Sequence, residues 1–399
     1  MLLIPSVASA QLELDQYIVI AAENNPGLQV KFKEYMAALE VAPQVRTLPD
    51  PQAAFAYFIS PVETRVGPQH VRFSVSQMFP WFGSLQAKEN VANQDAKAKY
   101  EAFLESRSRL FNEVRSNYYN IYFNRRALEI TMENLEILSS FKKLANIKVE
   151  TGKVSAIDEY RIEMEIGDME NRLALLKDNQ HVLEVMFVNL LNTDSEIEIT
   201  TPEILWTIDL DLRKDQVWDT INTNNHQLLA ISLQQEGLIF RKELAEKVGK
   251  PDFSIGFDYT VVGQGENNLA GTDAFVLPKV GITIPLYRNK YRAIVNEVVY
   301  LQEAKESEKS DKINLLETIL EISWKDYLDS GRRIDLYDVQ QNLAEQSLKL
   351  LETEYATGGK NFEEILRMER KNLNYGLELE KARSDKQAAI SFINYLMGI

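Results

Sequence analysis

The sequence contains no cysteine and only three histidines. Without cysteine the chain has no disulfide, no thiolate metal site and no lipid-modified cysteine, which suits an oxidising compartment. The histidines, His70, His181 and His226, stand far apart, and no HExxH, GxGxxG or P-loop motif occurs. We therefore expect a protein that is not an enzyme and binds neither a cofactor nor a metal ion.

Long apolar runs and an excess of positive charge are also missing. The apolar runs are far shorter than the ~20 residues that a membrane-spanning helix needs. Charged residues make up 26% and hydrophobic residues 45% of the chain, which excludes a disordered protein and a polytopic helical membrane protein. The formal net charge of −15 argues against a nucleic-acid partner.

Two long stretches are free of proline. Residues 288–355 contain one glycine, Gly331, and residues 84–149 are nearly as long, with the composition of continuous helix. At a rise of 1.5 Å per residue, each helix would be ~100 Å long, which predicts an elongated helical bundle. Trp324 and Tyr327, on heptad-like stripes, are predicted to pack in its core.

The first ten residues resemble the end of a secretory signal peptide. A short apolar run is followed by Ala8-Ser9-Ala10, which matches the small-x-small cleavage pattern. The positively charged start of such a peptide is missing. We interpret residues 1–10 as a signal-peptide remnant, and the alternative is an apolar N-terminus without a targeting role.

The rest of the chain has the pattern of an internal duplication. We predict two helix–strand–strand–helix repeats, at residues 11–200 and 201–399. Four markers return in the same order: Asn24-Asn25 at Asn224-Asn225, Pro51 at Pro251, Pro80 at Pro285, and Thr151-Gly152 at Thr357-Gly358. The offset drifts only from 200 to 206 residues, as a duplication with small loop insertions predicts.

Four stretches are predicted as β-strands, at residues 52–60, 69–79, 252–262 and 274–286. In each stretch, large apolar side chains alternate with small, polar or charged ones, which is the pattern of a strand with two unlike faces. The large apolar face comprises Phe55, Tyr57, Val71, Phe73, Phe253, Ile255, Phe257, Tyr259, Val280 and Ile282.

This alternation is typical both of a water-soluble sandwich and of a transmembrane β-barrel. The strand lengths fit the about 9–11 residues that a transmembrane strand needs. Two hairpins alone cannot close a barrel, and open strand edges do not occur in lipid. We therefore predict a barrel closed by strands from several copies, with the apolar face toward lipid and loops 61–68 and 263–272 outside the cell.

Four segments carry a resemblance to the TolC family of outer-membrane efflux proteins: Asn24-Asn25-Pro26, Phe79-Pro80-Trp81-Phe82-Gly83, residues 281–288, and residues 355–360. The resemblance covers the chain from Gln11 onward. It implies an α+β membrane protein, a homotrimer with a 12-stranded barrel in the outer membrane of a Gram-negative bacterium. It also implies a 12-helix coiled-coil tunnel in the periplasm, which docks on a periplasmic adaptor and an inner-membrane pump.

The resemblance assigns roles to the two helical turns, which we expect at one end of the bundle. The turns that would receive the adaptor contain Thr151, Gly152, Lys153, Val154, Gly358 and Gly359. The links that would close the entrance involve Asp158, Tyr355, Lys360 and Glu364. The alternative is that the glycines only allow tight turns and that the other side chains belong to a solvated helix surface.

These observations predict a passive exit duct of a tripartite efflux system. The alternatives are the outer-membrane component of a type I secretion system and a soluble periplasmic coiled-coil scaffold. Metal ions, drugs, dyes and secreted polypeptides all stay open as substrates.

Overall fold

The computed structural model describes residues 4–65, 67–150, 156–193, 197–264, 274–356 and 362–399. Its helices are α1 (Ile4–Asn24), α2 (Pro26–Leu39), α3 (Val41–Arg46), α4 (Ser84–Glu150), α5 (Ala156–Leu191), α6 (Lys214–Asn224), α7 (His226–Val248), α8 (Arg288–Ala356) and α9 (Phe362–Leu396). Its strands are β1 (Gln52–Thr64), β2 (Gly67–Phe79), β3 (Asp252–Val262) and β4 (Ala274–Thr283). The protein is therefore mostly helical with one small sheet.

The two longest helices agree with the prediction from their composition. Helix α4 has 67 residues and α8 has 69, and each begins within a few residues of a proline that follows a strand. Gly83, directly before α4, has a φ of +77°, a conformation that favours glycine. The sequence predicts a helical stretch from Leu12 to about Ala42 that Pro43 ends, but α3 contains Pro43, because a proline in the first turn of a helix removes no helical hydrogen bond.

The four strands form one antiparallel sheet in the order β1-β2-β3-β4. Most of the loop predicted at residues 61–68 is strand, because the turn after Thr64 is tight: the Thr64 hydroxyl donates to the Gly67 carbonyl at 2.7 Å. Gly67 has a φ of +137°, which closes this turn. Strand β4 ends at Thr283, three residues before its predicted end and short of Pro285.

The chain divides into two compact units, each with segments from both predicted repeats. The helical unit comprises Met1–Val30, Phe103–His226 and Ile313–Ile399. The sheet unit comprises Lys31–Ala102 and Gln227–Lys312. Within the described residues, no helix is long and apolar enough to span a membrane.

The core of the helical unit is rich in aromatic side chains. Tyr118, Tyr122 and Phe187 are fully buried, and the rings of Tyr118 and Trp206 stack with centroids 6.4 Å apart. Leu205 and Trp206 lie in the segment between α5 and α6, which therefore packs on the helices instead of forming a free linker. The Tyr122 hydroxyl accepts a hydrogen bond from the Leu205 amide at 3.0 Å and donates to buried Glu380.

Trp324 and Tyr327 are less buried than the core position that the sequence predicts for them. Both are only half-buried, whereas Tyr118 is fully enclosed. The Tyr327 hydroxyl donates to Asp209 at 3.0 Å and accepts the Leu210 amide at 3.4 Å. Tyr327 therefore holds the segment before α6 by polar contacts, which a hydrophobic stripe does not predict.

In the sheet unit, the junction between β2 and α4 is held by contacts to β3. The indole of Trp81 stacks on Phe253 with ring centroids 5.9 Å apart. The Trp81 amide donates to an Asp252 carboxylate oxygen at 2.9 Å. The Lys247 ammonium also donates to the Gly83 carbonyl at 3.2 Å. The Pro-Trp-Phe-Gly motif therefore directs the chain from the sheet into the long helix.

Two asparagines stand at the breaks between consecutive helices. Asn25, between α1 and α2, accepts the Leu28 amide at 3.1 Å and donates to the Leu190 carbonyl at 3.1 Å. Asn225, between α6 and α7, donates to the Leu396 carbonyl at 2.9 Å. Each side-chain amide thus donates a hydrogen bond to a backbone carbonyl near the end of a long returning helix.

We expect Asn225→Ala to lower the free energy of unfolding by about 1–2 kcal/mol, because it leaves the buried Leu396 carbonyl without this donor. The matched control is Asn24→Ala, since the exposed Asn24 side chain donates to Ile20 of its own helix. Chemical denaturation of the two purified variants checks this expectation. Equal stability of the two variants would contradict it.

Candidate functional site

The sheet has two chemically opposite faces. On one face of β3, Ile255, Phe257 and Tyr259 are 59%, 49% and 42% exposed. On the other face, Asp258 and Thr260 are 5% and 1% exposed. A contiguous apolar face this exposed marks a surface that contacts lipid or another protein.

The cross-strand register aligns the predicted apolar side chains on that single face. Phe55 pairs with Phe73, and Phe73 pairs with Tyr259 across the next strand. Of the ten predicted side chains, the eight that are exposed are Phe55, Tyr57, Phe73, Ile255, Phe257, Tyr259, Val280 and Ile282. Val71 and Phe253 are half-buried by their neighbours.

A second candidate site lies in the helical unit around Tyr355, close to the end of α8. The Tyr355 side chain is 2% exposed, and its ring lies 5.1 Å from that of Phe362 at the start of α9. The Lys148 ammonium stands 3.4 Å from the centre of the Tyr355 ring and donates to the Tyr355 carbonyl. Burial, followed by the negative charge of Asp158, raises the pKa of the Tyr355 hydroxyl.

Ion pairs connect α5 to α9 in the same region. Arg161 lies 3.5 Å from Asp158 on its own helix and 3.2 Å from Glu363 on α9. One turn further along α5, Glu165 pairs with Arg370 of α9 at 3.2 Å. Together with the contact between Lys148 and Tyr355, these pairs link the helix pair α4–α5 to the helix pair α8–α9.

The structure places the predicted gate residues in different settings. Asp158 lies close enough to Tyr355 for its negative charge to raise the pKa of the Tyr355 hydroxyl, whereas Glu364 pairs with Arg367 on its own helix. Lys360 lies outside the described residues, as do Thr151, Gly152, Lys153, Val154, Gly358 and Gly359.

Sequence reasoning missed the partners of the gate residues. Arg161 and Glu165 are spaced i, i+4 on α5, and their partners Glu363 and Arg370 are spaced seven residues apart on α9. These opposite charges at helical spacing were the available signal. Which helices face each other, however, depends on the tertiary fold.

A buried carboxyl group lies further along α9. Glu369 is 2% exposed, and the Asn134 amide donates to its Oε1 at 2.8 Å. Its other oxygen, Oε2, is enclosed without a hydrogen-bond partner among the described residues. Burial, and then the nearby Glu352 carboxylate, raises the pKa of Glu369 to about 7.

Among the described residues, no group of three or more acidic or histidine side chains is placed to hold a metal ion. The sheet offers an apolar surface, and the helix ends offer weak polar links between helix pairs.

Comparison with solved structures identifies the fold, although no protein-family profile and no curated protein sequence matches the chain. The outer membrane protein VceC from Vibrio cholerae matches with a TM-score of 0.81 and 14% identity, over 98% of both chains. The Campylobacter jejuni CmeC outer membrane channel matches with a TM-score of 0.81 and 12% identity, over 96% of this chain and 85% of CmeC. The open state of the Neisseria gonorrhoeae MtrE outer membrane channel matches with a TM-score of 0.79 and 14% identity, over 96% of this chain and 88% of MtrE. The chain therefore has the fold of these channels.

The buried carboxyl group of Glu369 predicts a pH-dependent stability. The pKa of Glu369 is about 7 in the folded protein, above the ordinary value of 4.5. Its contribution to the free energy of unfolding is therefore complete below pH 4.5 and is lost as the pH rises through 7. Glu369→Gln should match the parent at pH 5 and exceed its stability at pH 8 by on the order of 3 kcal/mol.

Thermal unfolding of both proteins at the two pH values measures this difference. Glu133→Gln is the control, because Glu133 is exposed one residue before Asn134. It should follow the parent at both pH values. A Glu369→Gln variant with the parental pH dependence would show that the carboxyl group titrates in its ordinary range.

Proposed function

We propose that the chain is a TolC-family channel of the outer membrane of a Gram-negative bacterium and the passive exit duct of a tripartite efflux system. The exposed apolar face of the sheet carries this proposal, because eight large side chains on one face need an apolar surrounding. The fold shared with VceC, CmeC and MtrE supports the same reading. The opposite, polar face then lines a wet passage.

The sheet itself supports closure of a barrel by further copies of the chain, and the resemblance to the TolC family implies that three copies do so. Its terminal strands, β1 and β4, each pair with one neighbour in the described chain, so each has one edge without a partner strand. Unpaired amides and carbonyls cost several kcal/mol per group in hydrocarbon, and only closure removes them. Three copies of the four-stranded sheet give a closed barrel of twelve strands.

The two-repeat organisation is part of the same proposal. Asn25 and Asn225, at equivalent positions of the predicted repeats 11–200 and 201–399, donate to carbonyls near the ends of the returning helices of their own repeats. Such equivalent contacts are what a duplicated helix–strand–strand–helix unit produces. Residues 1–10 are proposed to be a signal-peptide remnant that directs the chain out of the cytoplasm.

The duct needs partners that supply energy. We assign residues 151–154 and 358–359, where the sequence predicts turns, to the docking of a periplasmic adaptor, which connects the channel to an inner-membrane pump. The channel then performs no chemistry and requires no cofactor.

The links around Tyr355 are proposed to hold the periplasmic entrance narrow. Asp158, Tyr355, Lys360 and Glu364 form this gate, and the ion pair between Arg161 and Glu363 adds a bond between the helix pairs. The Arg161 and Glu363 side chains are 39% and 68% exposed, so the pair contributes about 1 kcal/mol or less. Three copies of several weak links stabilise a closed state that a docking adaptor is able to open.

The lipid-facing assignment predicts the effect of a charge in the middle of β3. Phe257→Arg should reduce the amount of trimer in the outer membrane severalfold, because an arginine near the bilayer midplane costs about 2–4 kcal/mol per copy. Fractionation of cell membranes, followed by electrophoresis without boiling, measures the trimer.

The control for this experiment is Phe257→Leu, which keeps an apolar side chain on the same face. It should leave the trimer at the parental level. A Phe257→Arg variant that assembles in the outer membrane as well as the parent would place this face against water or protein.

The gate assignment predicts a change in conductance. Replacing Arg161 and Arg370 together by Ala removes the two ion pairs between α5 and α9, so trimers in planar bilayers should conduct several times more than the parent. The matched control is Lys142→Ala, which removes the 2.8 Å pair with Glu163 inside the helix pair α4–α5. Equal conductance of the double variant and this control would locate the constriction elsewhere.

A further inference from the structure

The polar face of the sheet carries three charged side chains at successive levels, which span four residues of register, or about 13 Å along the strands. Arg72 on β2, Asp258 on β3 and Lys279 on β4 lie in the middle of their strands, and we call them the charged band. The Lys279 ammonium stands 2.5 Å from an Asp258 carboxylate oxygen. The guanidinium of Arg72 donates to the Gln69 side chain at 3.3 Å and lies 5.6 Å from the ring centre of Phe58.

The neighbours of the charged band are small, which indicates that this face is the crowded, inner one. A side chain at Gly256 would approach the Val75 carbonyl to 2.6 Å. A side chain at Gly281 would approach the Ser254 hydroxyl to 2.3 Å. Because a β-carbon at Gly256 would meet backbone, no side chain fits there, and this part of the passage is lined by the longer side chains around it, which include the charged band and Leu277.

The charges of the band do not cancel. Asp258 and Lys279 form a neutral pair, which leaves Arg72 with one net positive charge per chain. Among residues 69–76 of β2 and the described residues of β1, β3 and β4 that are aligned with them, no other charged side chain occurs. Asp252, on the same face, is six residues from Asp258, or about 20 Å along the strand, which exceeds twice the ~8 Å screening length of physiological salt.

We propose that Arg72, Asp258 and Lys279 determine the charge selectivity of the passage through the sheet, and that this section favours anionic over cationic solutes. The inference rests on the proposed function, since three chains are needed to close the passage and bring three net positive charges to one level. A ring of fixed charges in a narrow, low-dielectric wall attracts counter-ions and repels ions of its own sign.

Reversal potentials of the reconstituted trimer in a potassium chloride gradient test the proposal. Lys279→Gln should lower the anion-to-cation permeability ratio about two- to threefold, and Asp258→Asn should raise it by a similar factor, because the two changes alter the net charge of the band in opposite directions. Arg72→Gln, a second loss of positive charge, should act like Lys279→Gln. Lys279→Arg, which keeps the charge, should leave the ratio at the parental value.

Lys33→Gln is the control, because it removes the same charge from an exposed position on α2, outside the sheet. It should leave the permeability ratio unchanged. If the variants conduct with the parental ratio, or if Lys279→Gln and Asp258→Asn shift it in the same direction, the charged band does not set selectivity. A parent protein that inserts as a trimer without any conductance would overturn the proposed channel function itself.

Discussion

The hydrogen bonding of strand edges is the constraint on which the rest of the proposed architecture depends. The four-stranded sheet satisfies its inner backbone groups, but β1 and β4 each keep one edge without a partner strand in the described chain. In water such edges can bind solvent, whereas in hydrocarbon they must be paired. With its exposed apolar face against lipid, as proposed, the sheet is stable only when other copies of the chain close it.

The helical unit follows a different balance of forces. Its stability comes from a buried aromatic and aliphatic core around Tyr118, Tyr122 and Phe187, where each large side chain contributes about 1.5–3 kcal/mol by leaving water. The ion pairs between α5 and α9 are partly exposed and contribute much less. Strong cores within the unit and weak polar links between its helix pairs suit an entrance that must open without unfolding.

Much of the fold was predictable because the decisive signals are local. Strand β3, at residues 252–262, has the bounds that the sequence predicts. The predictions failed where one local signal is compatible with two structures. A proline can end a helix or, like Pro43, lie in its first turn, and the loop predicted after β1 is a tight turn at Gly67. The heptad-like pattern predicts Tyr327 in the apolar core, but its hydroxyl binds a segment more than a hundred residues earlier.

The candidate sites were predictable only in part. The apolar face of the sheet follows from a period of two residues, so the sequence alone predicts that the ten side chains lie on one face. The burial of Glu369 has no such periodic signal, and the charge spacing on α5 and α9 does not show that Arg161 faces Glu363. They arise because α5, α8 and α9 pack side by side, which brings together groups that are distant in sequence.

By itself, the sequence determined the long helices, the four strands and their two unlike faces, since these depend on residue spacing and on the absence of proline. Only the tertiary structure decided which strands pair, that the segment before α6 packs on the helices, and that Arg72, Asp258 and Lys279 lie near one another on one face of the sheet. The physical reason is that register and packing depend on distances between separate elements, and these distances are set by the whole set of contacts at once.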